Sequence, residues 1–117
     1  MKEKIFANEN HKNNYKKLMQ HIDKQCRGSE RIQAMVYLLA LLETIKPNFA
    51  KTVFDFENLL IRQDVLKEPW QTSSTRRTIL LAFNLFGDHP ATIQEIFGYS
   101  YWDEYYFEAI RIRFPHC

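Results

Sequence analysis

Between Ser29 and Pro47 lies a segment, "ERIQAMVYLLALLETIK", that constrains the whole fold. Ser29 is a residue type that caps the free N–H groups of a helix start, and Pro47 cannot continue a helix from the preceding turn. At 100° per residue, Glu30, Gln33, Tyr37 and Thr44 gather on a narrow polar stripe. Ile32, Met35, Val36, Leu38, Leu39 and Leu42 cover most of the remaining circumference. Such a helix leaves water only if neighbours pack on several sides, so it is expected at the centre of an all-α bundle.

The rest of the chain supplies those neighbours. Asn8 or Asn10 suits the start of a first helix, in which Tyr15, Leu18, Met19 and Ile22 share a face and Gly28 marks the end. Residues 48–70 read as one helix or two short ones. "TVFDF" there is open to an extended conformation, because β-branched and aromatic residues cluster in it. Hydroxyls in "TSSTRRT" cap a helix whose Ile79, Ala82, Phe83 and Phe86 face one way, closed by Gly87. "PATIQEIF" reads as a short helix. A final one opens on "SYWD", in the manner of a capping box formed by Ser100 and Asp103, and stops at Pro115. The expected fold is a single compact bundle of five or six helices with short connections. One domain spans residues 1–117, with residues 1–8 a flexible segment.

Charge and composition narrow the function classes. Sixteen Lys and Arg against fourteen Asp and Glu leave a formal charge of +2, short of the basic footprint usual for nucleic-acid binding, although "HKNNYKK" and Arg76 with Arg77 are locally basic. Cys26 and Cys117 are too few and too far apart for a disulfide framework. His11, His21, His89 and His116 are scattered without metal-ligand spacing. No metal, cofactor or catalytic residue is expected. The longest apolar run, "MVYLLALL", falls far below the roughly 20 residues needed to cross a bilayer, so a cytoplasmic protein without membrane partners is expected.

"HKNNYKKL", "WQT" at 70–72, "LAFNLF" at 81–86 and "EAIRIRF" at 108–114 together resemble a family of small uncharacterised proteins from Firmicutes and their temperate phages or mobile elements. The resemblance runs from about residue 10 to residue 114. It implies a bacterial or phage-encoded setting and supplies no chemistry.

Three constellations are candidate sites. On the last helix, Trp102, Tyr105, Tyr106, Phe107, Ile110 and Phe114 give an apolar arc wider than one core needs, leaving mainly Glu104, Glu108 and Arg111 for water. Rings of these types concentrate at interface cores, so the arc is read as a protein-binding or homodimer face. Glu43 and Arg113 fall on apolar arcs of their helices, which points to snorkelling from the helix ends or to a mutual buried ion pair. Ser73, Ser74, Thr75, Arg76 and Arg77 combine free backbone donors, hydroxyls and cations, the ingredients of an anion or nucleic-acid site, although a plain helix cap explains them as well. The leading expectation is a non-enzymatic interaction module, an accessory protein of a phage or mobile element. The alternative is a nucleic-acid-associated regulator that uses the basic first helix with Arg76 and Arg77.

Overall fold

The Ser29 cap behaves as its residue type predicts. In a computed structural model of the chain, which describes residues 4–62, 64, 73–87 and 103–115, its hydroxyl accepts from Ile32 N–H at 3.4 Å and opens helix α2, Glu30–Glu43. Every residue of α2 from Ala34 to Leu42 is buried. Helices α1 (Glu9–Met19), α3 (Phe49–Val53), α4 (Ser73–Gly87) and α5 (Asp103–Arg113) all pack against it. Among the described residues the fold is therefore mostly helical, with one long helix enclosed by the others, as the apolar circumference of α2 demands.

α1 starts at the expected cap: the Asn8 side chain accepts from His11 N–H at 2.8 Å. It ends earlier than Gly28. The backbone tightens after Met19, where His21 and Ile22 bond three residues back, to Leu18 and Met19. Asp23 then caps a 3₁₀ turn, Lys24–Cys26. The Arg27 side chain takes over carbonyls that a longer helix would have satisfied, donating from Nε to Ile22 O at 2.8 Å and from Nη2 to Gln20 O at 3.2 Å.

The ambiguous segment after Pro47 resolves into both of its readings. α3 is five residues long, and the chain then extends into a small antiparallel hairpin, β1 (Phe54–Asp55) with β2 (Leu60–Ile61), in the register Phe54 to Ile61 and Asp55 to Leu60. The all-α expectation thus needs a two-stranded addition. The turn is made by Asp55, whose carboxylate accepts from the N–H groups of Glu57 and Asn58 and from Asn58 Nδ2 at 2.9–3.1 Å. Those bonds, the Asn58 side chain foremost, hold its carboxyl below the usual range. Phe54 meets Phe56 and Phe86 edge-on at 5.3 and 5.1 Å, which seats the hairpin against the end of α4. The expected "PATIQEIF" helix and Ser100 lie outside the described residues. No helix among the described residues is long and apolar enough to cross a membrane.

Candidate functional site

α5 carries the aromatic surplus, and its rings divide between two faces. Tyr106, Ala109 and Ile112 point into the core, and Tyr105 and Ile110 are partly buried. Tyr106 is fully enclosed, so it is a core residue and cannot line a contact surface. Thr78 Oγ1 donates to Ser74 O at 2.8 Å, and the Tyr106 hydroxyl shares a hydrogen bond with Thr78 Oγ1 at 2.6 Å and lies 3.3 Å from Ser74 O. Phe107 and Phe114, in contrast, are 62% and 42% exposed. With Ile110 they stand at i, i+3 and i+7 along one stripe. Trp102 lies outside the described residues.

Arg113 closes the carboxy-terminal end of that stripe. Its Nε donates to Leu85 O at 3.0 Å, tying α5 to α4, and its guanidinium lies 4.5 Å from the centroid of the Phe114 ring. Glu43 is elsewhere occupied, accepting from Asn48 N–H at 2.9 Å and Ala50 N–H at 2.8 Å. The Glu43–Arg113 ion pair, one of the two readings of these charges, is therefore not formed. Asn48 sits in the left-handed region at φ 67° and makes no side-chain cap for α3, so the Glu43 carboxylate supplies the missing acceptor.

Of the α5 residues expected to meet water, Glu104 is exposed and Arg111 half-buried, but Glu108 is covered. Glu108 is buried, because residues 4–8, expected to be flexible, form a strap hydrogen-bonded to α5 and α2. Ile5 N–H donates to Glu108 Oε2 at 2.7 Å, and the Tyr37 hydroxyl donates to Ile5 O. Arg111 completes the arrangement with a two-pronged bond to Glu108 at 2.7 and 2.8 Å. Burial pushes the Glu108 carboxyl up, but the Arg111 and Ile5 hydrogen bonds with the Arg111 and Lys4 charges outweigh it and hold the group below its usual range. Tyr37, assigned to the polar stripe of α2, is fully buried for the same reason: its hydroxyl has the strap as partner, and burial first, then the Glu108 charge, drives its pKa far up.

His11 anchors the other end of the strap and was not distinguished by sequence from the scattered histidines. It is fully buried. Ala7 N–H donates to Nδ1 at 3.0 Å, so Nδ1 carries no proton and Nε2–H donates to Tyr37 O at 2.9 Å. The rings of Phe6, Tyr37 and Tyr105 surround it at 4.6–6.2 Å. A signal was present: residues 11, 15, 18 and 22 recur at helical spacing, which places His11 on the face of Leu18 and Ile22.

Thr75 and Thr78 are turned into the protein, and the Ser74 carbonyl accepts from Thr78. Arg76 is exposed and Arg77 half-buried, and each interacts with neighbouring groups of the chain. The Ser73 side chain lies outside the described residues.

A model of the family described as "Family of unknown function (DUF6075)" matches residues 1–117. No curated protein and no solved structure matches the chain.

Proposed function

We propose, from the premise that the chain belongs to this family of unknown function, that it is a non-enzymatic interaction module which self-associates through the outer stripe of α5. The observation that carries the reading is the exposure of Phe107 and Phe114 on either side of Ile110, beside the Arg113 guanidinium. Aromatic rings flanked by arginine are the composition of interface centres, and burying one such ring contributes about 1.5–3 kcal/mol. The first occupant to test is a second copy of the chain. The setting we propose is the cytoplasm of Firmicutes hosting temperate phages or mobile elements, on the strength of the resemblance of the "HKNNYKKL" and "EAIRIRF" segments.

Sedimentation velocity at tens of micromolar tests the proposal. Wild type is expected as a dimer and the Phe107→Glu/Phe114→Glu variant as a monomer with an unchanged circular dichroism spectrum. A strictly monomeric wild type, or a dimer that survives both substitutions, overturns self-association through α5.

A further inference from the structure

Two clefts open along α1, and both are lined by Tyr15 and Lys16. One, of about 270 Å³, is completed by Lys4, Phe6 and Lys12. The other, of about 390 Å³, is completed by Met19, Gln20 and Arg27. Sharing two side chains, they form one furrow from the strap to the turn before α2. Its charged lining is Lys4, Lys12, Lys16 and Arg27, with no carboxylate among the described residues. A larger cleft of about 470 Å³ beside the hairpin is different in kind, since its Lys51 and Arg62 are offset by Asp55 and Glu57.

The cations of the furrow are available. Lys12 and Lys16 are exposed, stand one helical turn apart, and their ammonium groups have no partner among the described residues. Arg27 is pinned by the Ile22 and Gln20 carbonyls, which orient the guanidinium without neutralising it. Between these charges lie aromatic rings: Phe6 packs 5.6 Å from Tyr15, and the Lys4 ammonium lies 5.6 Å from the Tyr15 centroid. A row of cations, of which Lys4 lies near a carboxylate, that of Glu108, with aromatic side chains set into it is the chemistry that tracks a phosphodiester backbone while offering its bases a ring. A lipid surface fits less well. The exposed positions of α1 are Glu9, Asn10, Lys12, Asn13, Lys16 and Lys17, none of them apolar, and Ile5 on the strap is a single exposed apolar side chain rather than an apolar face.

We propose that this furrow binds single-stranded nucleic acid without sequence preference, Lys4, Lys12, Lys16 and Arg27 contacting phosphates while Tyr15 and Phe6 meet a base. The activity is separate from self-association through α5.

Fluorescence anisotropy with a labelled oligothymidylate of about 12 nucleotides tests it, the length being within the usual site size for such grooves. Four phosphate contacts give a log–log salt slope of about −3, which weakens binding roughly 50-fold between 50 and 200 mM salt. Lys12→Glu/Lys16→Glu, at exposed positions that leave folding intact, is expected to weaken binding at least about 10-fold at 50 mM and to halve the slope. Lys24→Glu/Lys51→Glu makes the same change in net charge outside the furrow and is expected to stay within about threefold of wild type. No binding at 50 mM salt, equal losses in the two variants, or competition by inorganic polyphosphate as effective as unlabelled oligothymidylate would each overturn the proposal.

Discussion

Replacing His11 by Phe tests whether the strap is held by the neutral imidazole. The substitution keeps a ring in the pocket formed by Phe6, Tyr37 and Tyr105, but removes the acceptor for Ala7 N–H and the donor to Tyr37 O. Each bond between neutral groups is worth about 1 kcal/mol, so His11→Phe should cost about 2 kcal/mol at pH 7.5. That corresponds to a fall in Tm of about 6–12 °C for a chain of this size. The cost should also depend on pH. Burial lowers the His11 pKa from its ordinary 6.5, against the smaller opposing effect of the Tyr37 carbonyl. The unfolded chain therefore binds the proton first as the pH falls. Stability from the neutral ring is fully present above about pH 6.5 and declines as the pH drops toward the folded pKa, by up to about 1.4 kcal/mol per pH unit. His11→Phe removes this contribution, so the stability gap between wild type and variant should narrow steadily in acid. Urea titrations followed by far-ultraviolet circular dichroism from pH 7.5 to 5.0 measure the gap directly. A gap that stays constant over that range would refute the assignment of a buried neutral imidazole.

Glu108→Gln should cost about 2 kcal/mol in the same titrations, less than a fully buried ion pair because the Arg111 side chain is 37% exposed and regains water. With the Glu108 pKa held below 4.5, its contribution is present above that pH and lost as the pH falls through the folded value, so the variant should flatten the most acid part of the profile. Glu43→Ala should cost about 1 kcal/mol by uncapping α3, and Arg113→Ala should be additive with it to within about 0.5 kcal/mol; a larger coupling in a double-mutant cycle would restore the ion pair that the geometry rejects. Tyr106→Phe should cost about 0.5–1.5 kcal/mol in thermal or urea melts, since Thr78 keeps its bond to Ser74 O, and should leave the sedimentation behaviour unchanged.

Where a residue's fate depends on its own helix, the sequence was readable. The caps at Asn8 and Ser29, the enclosure of α2 and the closure of α4 at Gly87 follow from local chemistry and the 3.6-residue period. Glu108 and Tyr37 were misassigned because both find a hydrogen-bond partner in Ile5, about a hundred residues away from one and about thirty from the other, and no periodicity encodes such a partner. Glu43 was read as snorkelling from its helix end or pairing with Arg113, but the nearer demand was the uncapped start of α3, created by the left-handed backbone of Asn48. Of the aromatic arc, periodicity found the excess of rings. The separation of Tyr106 from Phe107 needed the positions of α2 and α4 as well.

The strap has a consequence for biosynthesis. Ile5 leaves the ribosome 103 residues ahead of the carboxylate that receives its amide. At about 5–20 residues per second that interval lasts roughly 5–20 s. Throughout it the amide lacks the acceptor it has in the folded protein, and Tyr37 lacks the covering helix that carries Glu108. The nascent chain must therefore delay its final closure until α5 has been made, although α1 and α2 are synthesised early enough to meet first.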